Sequence, residues 1–504
     1  MRKIILFLLL YSGFARSQAT YFNIQFDYNN IWNASASIIE TDNFYITGGV
    51  FGTFSYDTAF LLKLDKSGEI NSLWKTDFFP EGKIYDIKSS TNLDKIEISG
   101  RMNTNGFDDV INSDLFIVQL GLPFLDTLKV KTYGVPNFGD YSQSLVHRTS
   151  DGGFAVTGYR FAPGQKGKLL LLKTDSLLNQ VFMKTYSKST QDNHTGHSVV
   201  ETPGKGFIVV GSRSFNTYDL QGTYLRVDSL GNQVWWKDIV PNGQEDEESI
   251  VLSDIARLSD GTFLVLGVKQ YDIIGFPQYR VQLLLNINEN GDVLWSKEYG
   301  SDIYEDTAWK GLTLCQDGNF ITGGTKRENP YVPDQKAYGT IAKITPSGEV
   351  LWERKYSASS EGKFYDIFWR TIPTSDGGII ACGSTWGDSL TKENSWIVKL
   401  DSLGCLEPGC DSISTGVVEL PVGDNSPIKL YPNPTGGHLT VEAQKGKAIG
   451  AVKIYDLQGR RLVNEEYGLG KASLSFDLSG QPQGMYFCSA LVGGVWVTRQ
   501  FVKH

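Results

Sequence analysis

The stretch RTSDGGFAVTGY, residues 148–159, decides the fold because it returns along the chain with small changes. The clearest further copies are RLSDGTFLVLGV (257–268), LCQDGNFITGGT (314–325) and PTSDGGIIACGS (373–384). In each copy a tight turn built on Asp-Gly separates two runs that are rich in apolar residues. The copies therefore predict a β-hairpin that is repeated along the chain.

A glycine marks the same point of the second strand in seven units of about 55 residues each. These glycines are Gly48, Gly100, Gly158, Gly211, Gly267, Gly323 and Gly383. A second pattern follows the hairpin, namely an apolar strand, a turn and an aromatic residue, as in LLKLDKSGEINSLW (61–74) and LLNINENGDVLW (284–295). Its aromatic residues include Trp74, Trp235 or Trp236, Trp295 and Trp352. Each unit therefore holds four strands.

Fixed repeats of four short strands are typical of the blades of a β-propeller. The sequence thus predicts an all-β fold in which residues 20–410 form a seven-bladed propeller. The seventh unit stops at Cys405 without a fourth strand, whereas YFNIQF (21–26) alternates as a strand does. We expect this N-terminal strand to complete the last blade and remove its open edge. A β-solenoid is the competing interpretation, but its coils are usually shorter and its ends need caps.

The tryptophans of the fourth strands have two interpretations. They resemble the tryptophan-docking pattern of quinoprotein propellers, whose members also carry a vicinal cysteine pair and a charged cofactor floor. Neither of those features is present in this sequence. Packing of one blade against the next explains the tryptophans more simply, and no cofactor is predicted.

The C-terminal residues 428–504 form a different pattern, which follows a linker at 411–427. It consists of IKLYPNPTGGHLTVE (428–442), AVKIYDLQGRRLV (451–463) and FDLSGQPQGMYFCSALVGG (476–494), and each piece reads as short strands closed by tight turns. The two prolines of YPNP exclude a helix there. We expect roughly seven strands in a small Ig-like β-sandwich.

This C-terminal pattern closely resembles the type A C-terminal sorting domain of the Bacteroidetes type IX secretion system. The matching residues are Tyr431, Pro432, Asn433, Pro434, Asp456, Gly459, Arg460, Gly484 and Tyr486. The resemblance implies that the type IX secretion machinery is a partner and that the protein reaches the outer-membrane surface or the medium through the periplasm. It also implies that the domain is usually cleaved off. The alternative is an ordinary Ig-like module packed on its neighbour.

Residues 1–19 predict a signal peptide. A basic start (Arg2, Lys3) precedes a short apolar run (4–10), and small residues follow at Ser17 and Ala19. The apolar run is too short to span a bilayer stably. No later stretch is apolar enough to do so, and we therefore expect no transmembrane segment in the mature chain.

Charge and cysteine content limit the possible partners. The formal net charge is −9, and an acidic chain without a Lys/Arg cluster argues against nucleic acid and anionic lipid. Five cysteines are too few for a dense disulfide framework. Cys405 and Cys410 are a near pair that we expect to bond in an oxidising compartment. We expect Cys315, Cys382 and Cys488 to be buried thiols in strands.

The connections between strands predict where a ligand binds. The turn between the first and second strands of each unit is tight, as in SDGG (150–153), and so is the turn between the third and fourth strands. Both turns fall on one face of the propeller. The other connections are long, varied and rich in Tyr, Asn and Asp, and they share the opposite face, where binding residues concentrate. The candidates on this face are His197, Tyr141, Tyr304, Trp309, Trp369 and Trp386, followed by His194, Tyr218, Tyr271 and Tyr331.

Known catalytic patterns are missing from the sequence. It has no HExxH, clustered Cys/His spacing, GxSxG, P-loop or complete GxGxxG, and no metal site is predicted. The interpretation is a secreted or cell-surface propeller that binds a glycan, a surface polymer or a protein. One alternative is a polysaccharide-active hydrolase or lyase using carboxylates on the loop face, such as the acidic run at 245–248. A structural surface-coat component is the other.

Overall fold

The computed structural model of the protein describes residues 21–28, 31–53, 56–76, 81–90, 94–103, 112–142, 147–214, 220–240, 248–271, 279–300, 305–328, 336–358, 365–386, 393–406, 428–443, 447–456, 461–492 and 495–504. The predicted signal peptide (1–19), the predicted linker (411–427) and Cys410 lie outside these residues. The described residues form strands and turns without a helix, so none of them belongs to a helix that could cross a membrane. The chain divides into two compact units, 1–411 and 412–504.

The N-terminal unit is a series of antiparallel sheets. Its first strand is β1 (Phe22–Phe26). The first three sheets in chain order consist of β2 (Trp32–Glu40), β3 (Phe44–Thr53), β4 (Tyr56–Asp65) and β5 (Ile70–Lys75); β6 (Glu81–Ser89), β7 (Lys95–Asn103), β8 (Ser113–Gly121) and β9 (Asp126–Tyr133); and β10 (Gly139–Ser142), β11 (His147–Arg148), β12 (Phe154–Phe161), β13 (Lys168–Thr174) and β14 (Gln180–Tyr186).

The next sheets follow the same order. They consist of β15 (Asn193–Glu201), β16 (Phe207–Ser214), β17 (Leu220–Val227) and β18 (Gln233–Ile239); β19 (Glu248–Arg257), β20 (Phe263–Tyr271), β21 (Tyr279–Ile287) and β22 (Val293–Tyr299); β23 (Glu305–Leu314), β24 (Phe320–Glu328), β25 (Ala337–Ile344) and β26 (Val350–Tyr356); and β27 (Asp366–Pro373), β28 (Ile379–Trp386) and β29 (Glu393–Leu400). The described part of residues 21–406 therefore contains seven sheets.

The Asp-Gly turns of the repeat hold the first and second strands together. In the third sheet, the carboxylate of Asp151 accepts hydrogen bonds from the Thr149 hydroxyl (2.5 Å) and from the backbone N–H of Gly153 (3.0 Å). Lys173, on the third strand, donates to the same carboxylate at 2.8 Å. Asp and Gly favour tight turns for these reasons, and the repeated sequence therefore folds into a repeated hairpin.

The second strands of the sheets are buried on both sides, because neighbouring sheets pack face to face. Side chains from adjacent sheets share hydrophobic clusters, for example Ile46 and Leu61 of the first sheet with Ile98 and Phe116 of the second. The first strands of successive sheets contact one another, as β15 does with β19 and β19 with β23. These first strands therefore lie around a common axis, as in a β-propeller.

An aromatic residue on the outer strand of one sheet packs on the turn of the next. The ring of Trp235, in β18, covers Gly291, which lies in the turn between β21 and β22; a Cβ on Gly291 would lie 2.8 Å from the ring. The hydroxyl of Tyr224 donates to the carbonyl of Gly291 at 2.9 Å. The same contact joins Phe182 to Gly231, Trp295 to Gly348 and Trp352 to Gly404. These outer-strand aromatics pack sheet against sheet, as predicted.

The ring of sheets is closed by the N-terminal strand. β1 pairs antiparallel with β29, from Phe22 opposite Lys399 to Phe26 opposite Ser395, and becomes the fourth strand of the last sheet. Phe22 then packs on Gly68 of the first sheet as the tryptophans do on their glycines. The Asn33 side chain also accepts a hydrogen bond from the N–H of Ser395 at 2.8 Å. The predicted role of residues 21–26 is confirmed, and the unit is a closed β-propeller.

The C-terminal unit consists of two antiparallel sheets. Its strands are β30 (Ile428–Tyr431), β31 (His438–Ala443), β32 (Ile449–Asp456), β33 (Arg461–Lys471), β34 (Ser473–Asp477), β35 (Gly484–Val492) and β36 (Val495–Lys503). The sheet orders are β30-β31-β34 and β33-β32-β35-β36. Both sheets supply residues to one hydrophobic core, for example Leu439 and Val441 from the first and Ile454 and Phe501 from the second.

The YPNP segment ties the start of this unit to its end. The Asn433 side chain accepts a hydrogen bond from the N–H of Val502 at 2.9 Å. Tyr486 is buried against Phe501, and its hydroxyl donates to the carbonyl of Pro482 at 2.6 Å. The motif residues at 431–434, Asp456 and Gly484 are described as well, whereas Gly459 and Arg460 lie outside the described residues.

Candidate functional site

Six of the first strands carry a β-bulge near their middle. The pairing register with the second strand shifts once in each of β2, β6, β15, β19, β23 and β27. A bulged residue leaves the ladder and can aim its side chain in a new direction. The residues at these shifts are Ala36, Tyr85, His197, Ser253, Gly311 with Leu312, and Trp369.

Each of the six bulges contributes a residue to the lining of one cavity on the axis of the propeller, and Leu312 alone of the bulge residues does not line it. The cavity has a volume of about 510 Å³, which is within the range of small-molecule sites. Lys83, Asp254, Lys310 and Glu393 complete its polar lining. Glu393 is the first residue of β29, so the cavity lies toward the long connections that were predicted to form the binding face. Many of those connections lie outside the described residues.

Trp369 presents an aromatic surface in this cavity. Its side chain remains 39% exposed, although it sits on a strand of the ring interior. The indole N–H donates to the hydroxyl of Ser384 at 3.3 Å and fixes the ring. The ammonium of Lys310 lies 5.6 Å from the ring centroid, which is within cation–π range.

Lys310 brings a perturbed ammonium group to the cavity. Burial, together with the positive charge of Arg280, lowers its pKa to about 8. Lys310 forms no ion pair within the described part of the chain. Its charge therefore faces the cavity, where the Trp369 ring lies within cation–π range.

His197 is neutral in this site. Burial, together with the charge of Lys310, lowers its pKa to about 4. One ring nitrogen, Nε2, lies 3.1 Å from the hydroxyl of Ser212. The imidazole can therefore donate or accept a hydrogen bond at neutral pH, but it carries no charge.

Two carboxylates of the cavity differ in their surroundings. Asp254 accepts hydrogen bonds from the Ser198 hydroxyl (2.6 Å), the Ile255 N–H (2.8 Å) and the Leu312 N–H (2.6 Å). Burial raises the pKa of Glu393, although hydrogen bonds from the Ser384 and Trp386 side chains oppose the shift. The oxygens of Asp254 are therefore occupied by hydrogen bonds within the protein, whereas Glu393 is the cavity carboxyl group whose pKa is raised by burial.

A buried guanidinium lies behind the wall of the cavity. Arg370, the residue after Trp369, is 9% exposed, and its Nη1 has no hydrogen-bond partner among the described residues. A Cβ on Gly311 would lie 3.6 Å from this Nη1. Because Gly311 lines the cavity and has no side chain, only a thin wall separates the guanidinium from it.

Deeper in the channel, charged side chains of neighbouring sheets meet. The Ser37 hydroxyl donates to Asp86 at 2.7 Å, and Lys88 pairs with Asp86 at 3.1 Å. Burial lowers the pKa of Lys88, and the charge of Arg370 lowers it further. The inner channel is therefore polar and partly neutralised by its own acidic groups.

Tyrosines form the wall of the cavity at the second and third sheets. Tyr141 is buried and stacks on Tyr159 with centroids 4.8 Å apart, while the Arg101 guanidinium lies 4.7 Å from the Tyr141 ring. Burial raises the pKa of Tyr85, which lines the cavity itself. Tyr141 therefore supports the wall from behind.

The predicted ligand residues fall into three groups. His197 and Trp369 line the cavity, and Trp386 is half-buried beside it through its bond to Glu393. Trp309 is 1% exposed between sheets, where its indole N–H donates to Glu353 at 3.1 Å, and it offers no surface to a ligand. His194 is also buried, against the edge of Trp236, and half-buried Tyr271 lies at the end of β20. Tyr304, Tyr218 and Tyr331 lie outside the described residues.

Several residues of the cavity were not predicted, namely Tyr85, Ser253, Asp254, Lys310 and Glu393, and neither was Arg370 behind its wall. The marker glycines could have predicted the bulges, because six of them lie opposite a bulged first strand. A Cβ on Gly383 would lie 1.9 Å from the carbonyl of Ile367, and one on Gly100 would lie 1.8 Å from that of Lys83. Such a close approach requires glycine opposite a bulged strand. Where two glycines occur together, the second one, Gly49 or Gly324, takes this place.

The disulfide and metal predictions have different outcomes. Cys405 is disulfide-bonded, while its expected partner Cys410 lies outside the described residues, and their pairing stays a prediction. Cys382 and Cys488 are buried free thiols in strands, as predicted, whereas the free thiol Cys315 is half-buried and follows the end of β23, where the tight turn begins; burial raises the pKa of all three. Within the described residues, no group of three or more His, Cys, Asp and Glu side chains could hold a metal ion.

The C-terminal unit matches a known family. Residues 429–504 match the secretion system C-terminal sorting domain. This domain marks the chain for the type IX secretion system, as the sequence motifs predicted, and directs it to the cell surface or the extracellular space. No curated protein matches the chain.

Solved structures resemble the chain at low identity. They include an α-L-arabinanase of Penicillium chrysogenum complexed with arabinobiose (8% identity, TM-score 0.42, covering 63% of this chain and 93% of that one). A protein of unknown function from Dyadobacter fermentans (11%, 0.41, 62% and 93%) and the polysaccharide lyase Uly1 (12%, 0.39, 73% and 90%) are similar in the same way. At these scores the likenesses carry no argument about what this chain binds or does.

Proposed function

We propose that this protein is an exported seven-bladed β-propeller that binds a glycan in the axial cavity. The observation that supports the proposal is the exposed ring of Trp369 in a cavity of about 510 Å³. Apolar C–H faces of a sugar pack well on an aromatic ring. The hydroxyl of Ser253, together with neutral His197, supplies hydrogen-bonding groups around it.

In this proposal the two units have separate tasks. The seven sheets of residues 20–410 are the blades that present the cavity, and residues 428–504 are an Ig-like domain that serves export. The linker at 411–427 joins them. The binding face is the one with the long connections, whereas the tight Asp-Gly turns of the other face serve folding.

Glycan binding is tested with the mature protein on a glycan and polysaccharide array, followed by calorimetric titration of the best ligand. Trp369→Ala should weaken binding roughly tenfold or more, since truncation of a central aromatic residue commonly costs 2 kcal/mol or more. Leu403→Ala is the control, because Leu403 is 47% exposed on a tight turn of the opposite face. Equal affinities of the two variants would contradict this site.

A polysaccharide hydrolase or lyase is the second candidate function. The raised pKa of Glu393 in the cavity supports it, because burial makes this carboxyl group a better proton acceptor than an ordinary glutamate. The same array is then scored for cleavage products. Glu393→Gln should abolish cleavage and preserve binding if the protein is an enzyme, whereas a protein that binds without cleaving any glycan would contradict this candidate.

A further inference from the structure

Uncompensated positive charge distinguishes one wall of the cavity. The amino group of Lys310 forms no ion pair with any described residue, and the like charge of Arg280 acts on it. Lys83, the other lysine of the cavity, already pairs with Asp57 at 2.7 Å. Lys310 is therefore the lysine that is free to receive an anion.

The guanidinium of Arg370 adds to the same wall. It lies behind Gly311, makes no ion pair within 4 Å of its nitrogens among the described residues, and is nine-tenths buried. Asp254, also close to Gly311, is already bonded by one hydroxyl and two backbone N–H groups. Because Arg370 is buried, water screens its charge poorly, and the guanidinium contributes a positive potential at this side of the cavity beside the carboxylate of Asp254.

This local charge contrasts with the rest of the molecule. The chain as a whole is acidic, with a formal net charge of −9. A positive wall inside an acidic protein does not attract anions in general, because the outer surface repels them. Only a ligand that also gains contacts within the cavity overcomes this repulsion, and such a ligand must fit beside Trp369.

We propose that the cavity selects a carboxylate-bearing sugar, a uronate, whose carboxylate pairs with Lys310 while its ring packs on Trp369. This inference rests on the proposed glycan binding and specifies its chemical class. The 5.6 Å between the Lys310 ammonium and the centre of the Trp369 ring suits a ligand whose charge and apolar face are adjacent. A hexuronate has this arrangement, since its carboxylate is attached directly to the ring.

The test uses oligomers of galacturonate, glucuronate and mannuronate, each beside its carboxyl-reduced neutral counterpart. The mature protein should bind at least one uronate oligomer roughly tenfold tighter than its neutral counterpart, since hydrogen bonds to charged groups contribute about 1.5–3 kcal/mol. Lys310→Gln should remove this preference, and Lys310→Arg should keep it. Lys166→Gln removes a lysine on an exposed connection outside the cavity lining and should leave affinity unchanged.

The outcomes separate the inference from the function on which it rests. Tight binding of neutral oligomers, with no preference for uronates, would overturn the uronate class and leave glycan binding standing. Binding of no glycan at all would refute both. Equal affinity for poly-glutamate would show a site for anions in general and would also overturn the inference. Circular dichroism of each variant, matching the wild type, ensures that a lost preference reflects the site.

Discussion

The contact between Trp235 and Gly291 predicts unequal effects for two similar substitutions in the fifth sheet. Gly291 and Gly261 both have positive φ, +75° and +86° respectively. An alanine in this conformation is strained by about 1–2 kcal/mol. The strain is common to both positions, so the difference between the two variants reports what the added Cβ meets.

The added Cβ meets different surroundings at the two positions. At Gly261 nothing lies within 4 Å, and Gly261→Ala should lower the free energy of unfolding by about 1–2 kcal/mol. At Gly291 the Cβ would lie 2.8 Å from the Trp235 ring, and overpacking of this kind costs about 1–3 kcal/mol more. Gly291→Ala should therefore lower the free energy of unfolding by about 2–5 kcal/mol.

Urea unfolding followed by far-UV circular dichroism measures these differences, as a shift of the midpoint at constant slope. A double-mutant cycle provides the control. With Trp235 already replaced by Ala, Gly291→Ala should cost only the strain, which gives a coupling energy of about 1–3 kcal/mol. Equal effects of Gly291→Ala and Gly261→Ala, or a coupling energy near zero, would refute the packing of outer-strand aromatics on the next sheet.

Three further predictions follow from closure, charge and export. Phe22→Ala should destabilise the propeller by about 3–5 kcal/mol in thermal unfolding, because Phe22 is buried at the closing contact. The control Phe124→Ala, at an 80% exposed position, should change the stability little. Similar melting temperatures of the two variants would count against closure at this strand. Uronate affinity should fall as the pH rises through about 8, where Lys310 loses its proton, by up to roughly tenfold per pH unit. His197 and Tyr85 stay neutral in this pH range, because the pKa of His197 is lowered and the pKa of Tyr85 is raised. If the affinity of a Lys310→Arg variant fell in the same way with pH, the titration would belong to another group, such as Glu393. Deletion of residues 428–504 should retain the protein inside the cell in an immunoblot of cells and medium, and its appearance in the medium would contradict the role of the sorting domain.

The sequence was most informative where one physical constraint repeats. The Asp-Gly turns and the marker glycines recur because each hairpin needs the same tight turn and the same close backbone approach. They predicted the hairpins, the four-stranded units and the completion of the last sheet by residues 21–26. The C-terminal unit could be distinguished from the propeller because its YPNP and GMY motifs are not part of this repeat.

The site could be predicted only in part, because a bulge changes which neighbour faces inward. Trp309 and Lys310 are adjacent, and the aromatic residue was the natural candidate for a ligand surface. The register shift in β23 instead places Lys310 in the cavity and leaves Trp309 between the sheets. Glu393 and Arg370 were missed because their places at the cavity depend on contacts between different sheets, as when Arg370 of β27 lies beside Gly311 of β23.

The pairing of β1 with β29 also sets the order of events during folding. Within the propeller, residues 22–26 are synthesised before the other strands, whereas their partner strand at 393–400 is synthesised after them. The N-terminal strand therefore cannot pair until nearly the whole unit exists. Bringing together segments so far apart in the chain is slow compared with forming the local hairpins. Until then β29 carries an unpaired edge, which is a site for faulty association. Closure by β1 is therefore the step at which we expect faulty association through the edge of β29.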